Sequence, residues 1–167
     1  MKKIMCIILC TILLSSCARI VQPKTKEALN KQQEAWFSSA EGNYMDPDRS
    51  FGFQCVDVID DYCIALFGDY VNSIGLGNAG TLFKKIPSNS KYFTKISYNP
   101  NKPNIIPKHG DVIEWVKHIA VVDSATADTI TVLQQNRGGR AIDPCERFTF
   151  TDYKDVIGWL RPKIKLS

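Results

Sequence analysis

The chain has 167 residues, 44% of them hydrophobic, with a formal net charge of +4. That allows one domain of ordinary size with its own core, and the mild charge carries no nucleic-acid signature. The basic residues are scattered, without the stripe or aromatic-spaced patch that a nucleic-acid partner requires.

In chain order, the first segment reads as a targeting signal. Lys2 and Lys3 form a positive n-region, and the apolar run Ile4–Leu14 is too short to span a bilayer comfortably. It ends in Leu14-Ser15-Ser16-Cys17, which resembles the lipobox of bacterial lipoproteins. The resemblance implies a signal peptide over 1–16, cleavage before Cys17, lipidation of Cys17 and a tether over 17–24. A plain signal peptide cut near Ala18 is the rival reading. Ala18 follows the cysteine where an inner-membrane retention signal has Asp. The resemblance therefore implies export to the cell envelope, on the outer membrane facing the periplasm in a Gram-negative host. Acyl chains hold such a protein at a bilayer without a spanning helix.

The domain proper is expected over 25–167. Thr25–Ser38 reads as a helix with Thr25 as N-cap and Leu29, Trp36 and Phe37 near one face. Glu41–Ser50 is turn-rich. A second helical pattern starts at Cys55 and runs to about Phe67, with Val58, Ala65 and Leu66 on one face and Gly68 as its stop. Cys55 thus falls in a first helical turn, where unpaired N–H groups and the helix dipole favour a thiolate. Val71–Lys108 is the least regular stretch, with a short helix near Ala79–Lys84 and an edge strand at Tyr92–Ile96. Such stretches often line binding clefts. From Gly110 the pattern is β: strands at Asp111–Val116 and His118–Asp123, a turn at Ser124–Asp128, and a returning strand at Thr129–Gln135. After a turn at Arg137–Arg140, Glu146–Phe150 and Val156–Arg161 complete an antiparallel sheet. Helices followed by a run of strands define an α+β domain.

Six cysteines are present. Cys6 and Cys10 lie in the signal, and Cys17 is the lipid candidate. Cys55, Cys63 and Cys145 remain, and in an oxidising compartment either one bridge, Cys63–Cys145, or three reduced thiols fits. Of two histidines, His109 reads as a solvated loop residue. His118 opens a β-branched strand, and Gln134 and Asn136 on the next strand share a face by alternation and are placed to lie across from it. Cys, His and an amide are the components of a thiol hydrolase: the imidazole takes the thiol proton and an amide oxygen holds the ring. No Cys-x-x-Cys supports a redox role, and no zinc-ligand spacing occurs.

The ordered set DPDRSFGFQCVDVID, GLGNAGTLF, PKHGDVIEWV–HIAVVDSA, TVLQQN and IGWLRP resembles the CHAP family of cysteine, histidine-dependent amidohydrolases and peptidases, over roughly Asp46–Pro162. The resemblance implies a papain-like α+β fold and hydrolysis of peptidoglycan, at the N-acetylmuramoyl–L-alanine amide or at a peptide bond. It assigns Cys55 as nucleophile, His118 as base and then acid, Asn136 as the downstream polar residue, and Gln54 as an oxyanion-hole donor. Many relatives have Glu where this chain has Gln134, and Gly where it has Lys117. The first change weakens support for an imidazolium and leaves open a catalytically inactive module that binds wall fragments or a protein partner. The second biases the cleft toward acidic groups. Asp46, Asp48, Ser50, Gly52 and Asp57 further resemble a calcium loop that some CHAP members carry; Phe51 stands where an EF-hand needs Gly. Calcium there would have a structural role, and the chemistry itself requires no cofactor.

Overall fold

The computed structural model describes residues 22–69, 79–139 and 141–164. The signal segment, Cys17, most of the tether, Val71–Asn78 and Arg140 lie outside the described residues.

Helix α1 (Lys26–Ala40) starts where Thr25 Oγ1 accepts the Ala28 N–H at 3.1 Å, satisfying one of the unpaired donors of the first turn. Leu29, Gln33, Trp36, Phe37 and Ala40 are its buried residues, the spacing of a single helical stripe. Helix α2 (Cys55–Phe67) buries Val58, Ile59, Tyr62, Cys63, Leu66 and Phe67. It ends at Gly68, which takes φ +69 and donates to Ile64 O at 2.8 Å, a left-handed cap that glycine adopts without strain. Each large apolar side chain removed from water on this face contributes on the order of 1.5–3 kcal/mol. A short α3 (Leu82–Lys85) follows.

Six strands, β1 (Phe93–Ser97), β2 (Val112–Trp115), β3 (Ile119–Ala125), β4 (Ile130–Gln134), β5 (Glu146–Phe150) and β6 (Val156–Pro162), form one antiparallel sheet in the order β1-β6-β2-β3-β4-β5. Alternation divides the sheet into two faces. Val112, Ile119, Val121, Leu133 and Leu160 join α1 and α2 in one core, while Ile113, Ala120, Val122, Ile130, Val132 and Trp159 form a second cluster. The structure is thus the α+β arrangement expected, with helices packed on an antiparallel sheet. Among the described residues no helix is long and apolar enough to cross a membrane.

Of the two cysteine readings, the structure has the reduced one, with Cys63 and Cys145 both buried free thiols, and two other expectations need correction. His109 lies in a turn as expected but is only partly solvated: its Nδ1 lies 2.9 Å from Asp123 O and its ring packs on Phe37 at 4.5 Å. Finally, strand β4 ends at Gln134, and Asn136 takes φ +60 in the following turn, which breaks the alternation assumed for it.

Candidate active site

The first turn of α2 and the start of β3 meet at one open cavity of about 520 Å³, lined by Gln54, Cys55, Ala79, Lys117, His118 and Asn136 among others. Cys55 is half-buried, and its sulfur interacts with the backbone N–H of Ile119, the residue after His118. That contact brings nucleophile and base candidates to the same edge of the sheet. A tight connection sets the position of His118: Trp115 N donates to His118 O at 2.8 Å, closing the β2–β3 hairpin around Val116 and Lys117.

His118 Nε2 lies 2.7 Å from Gln134 Oε1. An amide oxygen only accepts, so Nε2 carries the proton and Nδ1 keeps its lone pair. Gln134 is buried at the end of β4, and its Nε2 donates to Glu146 at 2.8 Å. Of the two amides expected across from the histidine, Gln134 is the partner. Asn136 acts elsewhere: its Nδ2 donates to Gln54 Oε1 at 3.0 Å, and its Oδ1 accepts from Ala141 N at 2.9 Å.

Gln54 is thereby held from both ends, since its Nε2 donates to Phe51 O at 2.7 Å. A primary amide has a second N–H, so one donor remains beside the backbone N–H groups that open α2. Neighbouring Gln135 is a residue of the site's framework that the sequence reading missed. It is fully buried, exchanges two 2.9 Å hydrogen bonds with the Met45 backbone and reaches Gln54 O at 3.3 Å. The acidic loop and the residue before Cys55 are thus both fixed to the sheet. Only its opposite parity to Gln134, pointing it at the helical side, was available as a signal.

Burial sets the protonation states. Desolvation raises the Cys55 thiol above its ordinary value, despite opposing hydrogen bonds from the Ile119, Cys55 and Val56 backbone. The helix terminus therefore does not by itself produce the thiolate expected from the sequence. Desolvation likewise lowers His118; the Gln134 hydrogen bond opposes this and Arg137 reinforces it. Both shifts favour the uncharged forms, thiol at Cys55 and neutral imidazole at His118.

On the far side of Gln54, carboxylate oxygens of Asp46, Asp48 and Asp57 lie within 4.8 Å of one another. Asp57 is raised to about 7, first by burial and then by the Asp48, Asp46 and Asp60 charges, against a hydrogen bond from Gln54 N. Three crowded carboxylates are a donor set that suits a hard oxygen-seeking cation. Ser50 joins the loop through its N–H, which donates to both Asp46 and Asp48, and Gly52 takes φ +70 beside Ala141 O.

No family model matches the chain. By sequence it is 31% identical over 145 residues to endolysin PlyTW of Staphylococcus phage Twort, covering 79% of this chain and 30% of that protein. It is 31% identical over 113 residues to endolysin LysK of Staphylococcus phage K, covering 63% and 21% respectively. A probable autolysin PH of Staphylococcus aureus is 27% identical over 114 residues, 65% of this chain and 23% of that one. The chain therefore spans less than a third of the length of these relatives. In structure it resembles endolysin LysIME-EF1 (TM-score 0.63, 21% identity, 87% of this chain and 66% of that one). It also resembles Ly7917, solved with the hydrolysis product of MDP (TM-score 0.58, 15% identity, 79% and 62%). These likenesses establish the fold that the chain shares with endolysins.

Proposed function

We propose that the chain is a CHAP-type cysteine hydrolase of peptidoglycan, cleaving an amide or peptide bond of the wall. The observation that carries this reading is the His118–Gln134 bond at 2.7 Å beside a cavity that also holds Cys55. His118 Nδ1 takes the Cys55 proton as sulfur attacks the scissile carbonyl. The oxyanion is held by Gln54 Nε2 and the N–H groups at the start of α2. The C–N bond then breaks as His118 returns its proton to the leaving amine, leaving a thioester on Cys55. Water, deprotonated by the same ring, hydrolyses the thioester and restores the thiol. The endolysin and autolysin relatives support the peptidoglycan assignment.

Two further parts of the reading rest on the sequence. Lipidation at Cys17 would tether the enzyme to a membrane of the cell envelope, so Cys17→Ala should move it to the soluble fraction. Calcium, held by Asp46, Asp48 and Asp57, would stabilise the loop that leads into Cys55 without entering the chemistry.

The test is turbidity loss and fragment mass spectrometry on purified peptidoglycan, with wild type, Cys55→Ala and a chelated sample. Lysis by wild type and not by Cys55→Ala is expected, with new fragment ends naming the bond, and calcium restoring the chelated enzyme. No release from walls of several chemotypes by a folded wild-type protein would overturn the enzyme reading in favour of a binding module.

A further inference from the structure

The carboxylate that many relatives present to the histidine is replaced here by Gln134, yet a carboxylate stands one residue further out. Gln134 and Glu146 are direct cross-strand partners of β4 and β5. Gln134 Nε2 donates to Glu146 Oε1 at 2.8 Å while Gln134 Oε1 faces His118 Nε2 at 2.7 Å. Arg137 Nε lies 3.8 Å from the same Glu146 oxygen, and its guanidinium covers the Phe148 ring at 3.8 Å. We propose that Glu146 is a positioning residue for this site, acting through Gln134 to fix which nitrogen of His118 is the base. The proposal rests on the hydrolase reading above.

The physical argument is one of hydrogen-bond polarity. A primary amide is nearly symmetric in shape and can turn over, exchanging a donor for an acceptor. Rotated, Gln134 would offer an N–H to His118 and select the tautomer protonated at Nδ1, which has no lone pair left for the thiol. It would also set its carbonyl oxygen against the Glu146 carboxylate, acceptor against acceptor. An ionised carboxylate only accepts, so it admits one amide orientation, and that orientation admits one tautomer. The wrong tautomer is costly in such sites, because the base then points its proton at the nucleophile.

A second consequence concerns charge. The groups facing His118 are Arg137 and Lys117 at the cleft, with Asp152, Lys154 and Asp155 around the adjoining cavity that the ring also lines. Arg137 opposes an imidazolium. Glu146 places a negative charge beside that guanidinium and behind the amide, so it supports the imidazolium formed during attack without touching the ring.

The test is a double-mutant cycle in the full chain. The readouts are the pH dependence of kcat/KM, the kcat and KM values separately, and the 15N shifts of His118. In wild type the ring should show the tautomer protonated at Nε2. Glu146→Ala should mix the tautomers and lower kcat at least about tenfold, with KM nearly unchanged. Gln134→Glu gives the ring a carboxylate that accepts from it in either orientation, and sets its other oxygen against Glu146, acceptor against acceptor. In that background Glu146→Ala should cost less than about twofold, and the acid limb should move upward. An equal loss from Glu146→Ala in both backgrounds, or an unmixed tautomer in Glu146→Ala, would overturn the relay. The 15N shifts are read without substrate, so a wild type that is inactive yet shows the expected tautomers would refute the hydrolase reading and not the relay.

Discussion

Replacing Gln135 by Met tests how the site is held to the sheet. The substitution keeps the length and shape of the side chain and removes three hydrogen bonds, to Met45 N, Met45 O and Gln54 O. Gln54 O retains the Asp57 N–H at 3.2 Å, so the Met45 N–H and C=O are the groups left without a partner. A buried orphan of this kind costs about 1–3 kcal/mol, which gives an expected loss of about 3 kcal/mol for the pair. With a urea slope of roughly 2 kcal/mol per M, the unfolding midpoint should fall by about 1.5 M. Activity should fall further than stability alone explains, because the same side chain positions Gln54 and the loop carrying Asp46 and Asp48. The assay is urea unfolding by tryptophan fluorescence, with lysis measured well below the transition. A midpoint shift below about 0.3 M with full activity would refute the reasoning.

Other predictions follow from particular contacts. Glu114 is buried and raised from 4.5 to about 7, mainly by burial, against backbone hydrogen bonds from Phe83, Gly80 and Leu82. A carboxyl raised in the fold stabilises it fully below about 4.5, and the contribution is lost as pH rises through about 7. Glu114→Gln should therefore flatten stability against pH in that window, by on the order of 2–3 kcal/mol, in unfolding curves taken between pH 4 and 8. Tyr62→Phe cuts the buried chain from Gln33 Nε2 (2.8 Å) through the Tyr62 hydroxyl to Gly110 O (2.7 Å), and should lower stability by about 1–3 kcal/mol while leaving kcat unchanged. Gly80 takes φ +85, and a β-carbon there would stand 2.2 Å from Val116 O. Gly80→Ala should displace Ala79 and Val116 at the cleft and raise KM, measurable on soluble wall fragments.

Much of the architecture was legible because local chemistry and burial agree. Thr25 and Gly68 mark helix ends through their own hydrogen bond and left-handed φ, and the alternation of Ile119 to Val122 assigns the two faces of β3 directly. The His118–Gln134 pairing followed from period two. Asn136 did not follow, because a left-handed turn residue is invisible to a rule that assumes extended backbone. Gln135 was missed since its partner, Met45, is 90 positions away in sequence. Glu146 was missed for a related reason: cross-strand register depends on the length of a loop that composition does not set. The thiol was misjudged because helix position was weighed without burial, which is the larger effect at Cys55.

The most direct test of the thiol mechanism is acid quenching of the full chain during turnover of purified peptidoglycan, followed by intact-mass and peptide-mapping spectrometry. The account predicts a wall-derived acyl group on the peptide carrying Cys55 and no cleavage by Cys55→Ala. Cleavage by Cys55→Ala at the wild-type rate, with Cys55 unmodified in the wild type, would contradict it.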